Sequence, residues 1–275
     1  SISHDYGIEG TYTLAIRGDF PQIYFNNSGD RQKIISVDQW GSIVWSSMNR
    51  AFRGCTNLVV AASDVPDLSN VTDMSYMFGN TSSFNQNIGN WNVSNVTEMR
   101  GLFASATAFN QNIETWNVSN VIDMSFMFFN ASSFNQDIGT WNVGNVGDMT
   151  GMFANASRFN QDLGSWNVAN VTDMFFMFNG ITLTTENYDA LLIGWNTLSL
   201  QNGVTFDGGN SKYCHGKLAR ENIINSYGWT IIDGGLLNPP VAICKNITIE
   251  LDASGNATIT ADDVDDGSTM GCTGS

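Results

Sequence analysis

The chain has 275 residues, a formal charge of −15 and a pI near 4.2, with 42% apolar and 12% aromatic residues. That apolar content is enough for an extended buried core, so disorder is not expected. Recognition of nucleic acid or of an anionic membrane surface is not expected, because phosphate contact needs clustered Lys and Arg and the 11 basic residues are scattered. No apolar run approaches the roughly 20 residues that span a bilayer, so no membrane insertion is expected in this segment. Charged residues are only 13% of the chain, with Asn, Ser, Thr and Gly at the polar positions, a composition of secreted and surface proteins.

In chain order, residues 1–33 alternate as strands do, at 11–16 and 23–25, with Gly18, Asp19 and Pro21 between. They read as a β-hairpin cap or as the end of a β-sandwich module. Residues 34–58 form a divergent coil, in which Met48, Phe52 and Leu58 match Met74, Phe78 and Phe84 at a shift of 26. From Trp91 the chain repeats every 25 residues: Trp91, Trp116, Trp141 and Trp166, and likewise Phe103, Phe128, Phe153 and Phe178. The shared unit is W-N-V-x-N-V-x-[DE]-M-x-x-[LM]-F-x-x-[AS]-x-x-F-N-Q-[ND]-[IL].

A period of this length marks a solenoid and falls within the leucine-rich-repeat range. We therefore expect a leucine-rich-repeat-like solenoid over 34–183, an α/β architecture of short strands and short helical turns. Apolar residues one coil apart stack into ladders, with Phe103, Phe128, Phe153 and Phe178 as the central one. Met99 to Phe103 is apolar at i, i+3 and i+4, which predicts a short helical or 3₁₀ turn.

After Phe178 the period fails, and residues 184–236 read as a C-terminal α/β cap. A helix is predicted from an N-cap at Thr184 through Trp195, a strand over 204–207, a second helix over 217–227 closed by Gly228, and a strand over 229–232. Leu237, Asn238, Pro239 and Pro240 are a linker by composition, opening a further β-segment over 237–275 with a hairpin at 247–260. The chain starts without an initiator Met or signal-peptide pattern and stops shortly after a strand-like run. Both ends are expected to be cut within neighbouring modules of a longer multi-module chain.

Several polar columns follow the period. Asn70, Asn95, Asn120, Asn145 and Asn170 read as inward side chains satisfying backbone groups at the turns. Gln86, Gln111, Gln136 and Gln161, next to Asn85 and its equivalents, form an amide array that a ligand could use. Trp91, Trp116, Trp141 and Trp166 form either an aromatic platform for sugars or buried corners with each indole N–H bonded to a carbonyl. Asp73, Glu98, Asp123, Asp148 and Asp173 form an acidic ladder, offset by helix-turn N–H groups or by calcium. Asp262, Asp263, Asp265 and Asp266 read first as a solvated loop and second as a calcium site; no other cofactor is implied.

For catalysis the sequence offers little. The two histidines, His4 and His215, lie in different segments outside any known nucleophile or metal spacing, so no enzyme is expected. Of the cysteines, Cys55 and Cys214 are held apart by the intervening coils, roughly 20 Å or more at the strand spacing. A disulfide needs Cα atoms within about 7 Å. Cys244 with Cys272, bracketing one β-module, is the pairing expected.

The A-F-x-x-C-x-x-L run from Ala51 to Leu58 resembles the BspA-like bacterial surface leucine-rich repeats, and M-x-x-M-F…F-N-Q-[ND]-[IL] resembles the polar, lipoprotein-type branch of that family. H-x-Y…G-x-Y-x-L from His4 resembles the last strands of PKD-type modules, and 241–272 resembles the opening of hyalin-repeat-like immunoglobulin-fold modules. These resemblances imply an extracellular protein of the bacterial cell surface acting in adhesion, with a protein or glycan as its ligand. A structural spacer within a longer surface fibre and a carbohydrate-binding module of a secreted hydrolase are the alternatives. Exposed aromatic and amide ladders would favour binding, and a surface of Ser, Thr and Gly with all tryptophans buried would favour the spacer.

Overall fold

The computed structural model describes residues 7–237, 243–266 and 272. Its centre is a pile of 25-residue coils, joined by parallel bridges from Asp73 to Glu98, Asp123, Asp148 and Asp173 in turn. The apolar positions of the unit explain the pile. Phe78, Phe103, Phe128, Phe153 and Phe178 lie face to face at 5.9, 5.7, 5.6 and 5.5 Å, each fully buried. A second ring joins each of them from its own coil, as Phe109 does at 3.9 Å from Phe103. Burying one such ring contributes about 1.5–3 kcal/mol. A single coil has nothing to bury its rings against, so stability belongs to the pile.

The stretch at 99–106 is where local expectation and structure part. Instead of a helical turn it makes successive reverse turns, with Leu102, Ala104 and Ala106 donating to the carbonyls of Met99, Gly101 and Phe103. The alternate N–H groups of Met99, Gly101, Phe103 and Ser105 donate to Asp123, Ser125, Met127 and Phe129 of the next coil. Gly101 and Ser105, at φ 57° and 59°, create this alternation. A helical turn would keep every N–H within its own coil and leave the neighbouring carbonyls unbonded.

The first coil is closed by residues 20–27 lying along it. Phe25, Asn26 and Asn27 donate to the carbonyls of Ala51, Arg50 and Arg53, and Phe20 meets Trp45 edge-on at 6.1 Å. The strands read over 11–16 and 23–25 do not form. Residues 25–27 instead bond to the open coil edge, while Tyr12, Leu14 and Ile16 stay exposed. His4 and Tyr6 lie outside the described residues. Beside this cap, β1 (Ser36–Val37) pairs parallel with β2 (Val59–Val60).

At the other end α1 (Thr185–Trp195) starts at Thr184, whose hydroxyl accepts from the Asn187 N–H. Tyr188, Leu191, Leu192 and Trp195 turn inward at helical spacing. β3 (Thr205–Asp207) pairs parallel with β4 (Thr230–Ile232), and between them α2 (Lys217–Tyr227) ends on Gly228 at φ 67°. The cap continues the pile, because Met174 bridges Phe206 and the Phe178 N–H donates to the Asp207 carbonyl.

Residues 247–251 and 257–260 contain no strand. A turn at Asp252–Asn256 forms, followed by α3 (Ala261–Val264), and Cys244 bridges Asp265 antiparallel. The expected Cys244–Cys272 disulfide is corrected: Cys272 bonds to Cys214, with Cα atoms 5.5 Å apart, and Cys244 is free and exposed. The return of Cys272 to the cap, where its Sγ approaches the Leu237 carbonyl, decides this pairing. Pro239, Pro240, Val241 and Ala242 lie outside the described residues. Cys55 is buried in the core, and burial pushes its thiol up to about 12. Among the described residues no helix is long and apolar enough to cross a membrane.

Candidate functional site

The tryptophan column is core, which removes it as a platform. Trp91, Trp116, Trp141 and Trp166 are all buried, and the indoles of Trp116, Trp141 and Trp166 donate to the carbonyls of Ile88, Ile113 and Ile138. Trp195 of α1 extends the column by donating to Leu163. The amide array is likewise occupied. The Oδ1 atoms of Asn85, Asn110 and Asn135 each accept a backbone N–H one coil on, from Asn110, Asn135 and Asn160. They also accept from the Nε2 of Gln111, Gln136 and Gln161. The ladder terminates on the cap, where Thr184 and Asn187 donate to Asn160. Gln86, at the first step, keeps a buried Oε1 without a partner.

The other asparagine column stabilises turns from outside rather than within. Asn95, Asn120, Asn145 and Asn170 are exposed, and each donates to a carbonyl of the preceding coil, from Ser69, Ser94, Ser119 and Gly144; Asn70 occupies the same exposed column. In the acidic ladder, Asp73, Asp123, Asp148 and Asp173 each accept the N–H two residues ahead, at 2.7–2.9 Å. These are Asx turns, not helix N-termini. Glu98 is the odd member. Burial, then Asp123 and Asp73 on either side, hold its carboxyl above the usual carboxylate range. Of the distal acids, Asp263 closes a capping box with Thr260 and Asp265 lies on the bridge to Cys244, while Asp262 is in the first turn of α3 and Asp266 follows it.

What these structural columns leave over is an outward strip along the 100–105 turns. Here the repeat ceases to repeat. The left-handed position is Arg50, Tyr76, Gly101, Phe126, Gly151 and Phe176 in successive coils, with φ between 53° and 58° throughout. Bulky residues are outliers there, and such strain costs about 1–3 kcal/mol per site. Rings and glycines interlock. A Cβ on Gly101 would stand 2.3 Å from the Tyr76 ring, and one on Gly151 would stand 2.7 Å from the Phe126 ring. Tyr76 and Phe126 thus each lie over the glycine of the next coil.

Arginines fill the spaces between the rings. The Arg53 guanidinium sits 4.7 Å from the Tyr76 centroid and Arg50 5.8 Å from it. Arg100 bridges onward, donating from Nε to the Tyr76 hydroxyl at 3.2 Å and from Nη1 to Ser125 at 3.0 Å, with its Cζ 5.1 Å from the Phe126 centroid. Among the described residues none of the three makes an ion pair within 4.0 Å, and the Nε atoms of Arg50 and Arg53 are buried without partners. A groove of about 350 Å³ runs between Arg53, Tyr76, Arg100, Phe126 and Phe129. Phe175 and Phe176 stand exposed two coils further on. Sequence reasoning missed this strip, although its signal was legible: ring and glycine alternate at 76, 101, 126, 151 and 176, a 50-residue period inside the 25-residue one.

The cap holds two buried polar clusters with structural work to do. Asp233 accepts from Tyr188 and from Arg220, at 2.8 and 2.7 Å, which ties α1, α2 and β4 together. Burial, then the Asp233 charge, raises the Tyr188 phenol. Asp189 accepts the N–H groups of Cys214, His215 and Gly216, each at 2.8 Å, before the first turn of α2. Asp189, Cys214 and His215 could converge on a metal ion, but the Cys214 sulfur is taken by Cys272.

Stacked coils of one repeating unit, closed by a cap at each end, define this as a repeat protein. Residues 46–146 and 114–205 match the family described as "Mycoplasma protein of unknown function, DUF285", and the chain belongs to that family. No curated protein and no solved structure matches it.

Proposed function

We propose that this chain is a leucine-rich-repeat-like solenoid segment of an extracellular bacterial surface protein, and that it binds an extracellular protein or glycan through the strip carrying Tyr76, Arg100, Phe126 and Phe176. One observation carries the reading: strained aromatic side chains recur at positions where the same repeat elsewhere uses glycine. Tyr76 and Phe126 pack over Gly101 and Gly151, yet glycine closes the same turn in the alternate coils, and recognition offers a reason to keep the rings. Similarity of the repeat to the BspA-like surface repeats supports the same setting. No bond chemistry is assigned, and the activity is adhesion by many shallow contacts on a rigid face.

The reading is tested by a binding screen on immobilised glycans and matrix proteins, with and without Ca²⁺. The chain is compared with a variant carrying Tyr76→Gly, Phe126→Gly and Phe176→Gly. Saturable binding that the triple variant loses, with an unchanged melting curve, is the expected outcome. Binding that survives all three changes moves the site elsewhere. No binding at all favours the spacer reading.

A further inference from the structure

We propose that the column of Tyr76, Phe126 and Phe176, with Arg53 and Arg100 beside it, binds a linear polysaccharide carrying one acidic group per disaccharide. This deepens the surface-recognition reading above and rests on it. The rings are the first reason. Each occupies a left-handed backbone position that Gly101 and Gly151 fill in the alternate coils, so the coil closes without them. Phe176 is exposed, while Tyr76 and Phe126 are half-buried beside Arg53 and Arg100, and the part of such a ring left open suits the C–H face of a pyranose.

Spacing is the second reason. Successive rings are two coils apart, roughly 10–12 Å from the strand spacing and from the 5.5–5.9 Å between equivalent inner rings, close to the span of a β-linked disaccharide in an extended chain. An extended peptide presents same-face side chains about every 7 Å and falls out of step with the column.

Charge is the third. The chain carries −15 overall, yet Arg100 lies between the first two rings and Arg53 beside Tyr76, neither with a carboxylate partner within 4.0 Å among the described residues. The adjacent Asp73 and Asp123 are held by their own turn N–H groups. With Nε and Nη1 of Arg100 already donating to Tyr76 and Ser125, its remaining N–H groups are the ones that would take a carboxylate. The negative field of the whole chain works against densely sulfated polymers, which selects a sparse acid such as one uronate per disaccharide.

The experiment is calorimetric titration of the full 275-residue chain with hyaluronan octasaccharide and tetrasaccharide. The carboxyl-reduced octasaccharide and poly-L-glutamate serve as comparators. We expect the octasaccharide to bind more tightly than the tetrasaccharide. Loss of the charge-assisted contact in Arg100→Gln, or of the carboxyl in the reduced sugar, should weaken binding by about tenfold or more. Phe126→Gly and Phe176→Gly should weaken it while leaving the melting curve in place, which keeps the test valid if Arg100→Gln misfolds.

Absence of octasaccharide binding, equal binding of poly-L-glutamate, or affinity indifferent to the ring variants overturns the proposal. If the octasaccharide fails while another glycan or matrix protein binds and is lost on Phe126→Gly, only the ligand chemistry falls. If nothing bound depends on the rings, the surface-recognition reading falls with it.

Discussion

Two aromatic columns run through the same coils and obey different rules. Phe78, Phe103, Phe128, Phe153 and Phe178 recur every 25 residues, are fully buried and stack within 6 Å of one another. Tyr76, Phe126 and Phe176 recur every 50, are partly exposed and sit at positive φ. The inner column is explained by burial alone, since every coil needs the same ring in the same place. The outer column costs backbone strain and is omitted from every second coil. We read a side chain kept at a cost, where its neighbour shows that it can be spared, as serving the proposed recognition.

Four substitutions test that contrast. Phe128→Ala opens a cavity in the middle of the inner column and should cost about 3–5 kcal/mol, read as a fall in the denaturant midpoint at nearly constant m-value. Because coils are coupled to their neighbours, protection from hydrogen exchange should also fall at Phe103 and Phe153. An unchanged midpoint would contradict the shared core.

Gly151→Ala comes next. A Cβ there meets the Phe126 ring at 2.7 Å at a backbone angle of +57°, and the left-handed conformation by itself costs about 1–2 kcal/mol. In a Phe126→Gly background the clash disappears and only the backbone cost remains. The two changes should therefore be non-additive in a double-mutant cycle. Additivity would show that ring and glycine are not interlocked.

Phe126→Gly alone should move stability by no more than about 1 kcal/mol, because relief of left-handed strain offsets lost ring contacts. A loss as large as that of Phe128→Ala would make the outer ring structural and remove the basis for a binding role.

Glu98→Gln is the smallest effect. Burial and the flanking acids raise the Glu98 carboxyl in the folded state, so the folded chain holds its proton more tightly than the unfolded chain. The wild type consequently loses stability as pH rises from the ordinary carboxylate value through the raised one. Glu98→Gln should melt slightly higher than the wild type at pH 7, and the gap should close as pH falls below the ordinary value. A gap that widens in acid would reverse the assignment.

Much of this was legible along the chain. The apolar columns follow from the 25-residue period, and α1 and α2 from their spacing, the Thr184 cap and the Gly228 stop, because those signals act within a few residues. The exposed strip was hidden by the same regularity: attention to what repeats directs the eye to Gln111 and Trp116, which the fold consumes. Side-chain bonds from one coil to the next decide whether an amide is free, and those contacts span 25 or 26 residues.

Spacing along the chain shows that identical apolar residues return at one interval, and hence that coils must be buried against one another. Long-range contacts set which backbone angles close each coil, bring the N-terminal segment to an open edge instead of pairing it with itself, and join Cys272 to Cys214. Each of these depends on which unpaired backbone or sulfur group another part of the chain brings within reach, and spacing along the chain does not carry that information.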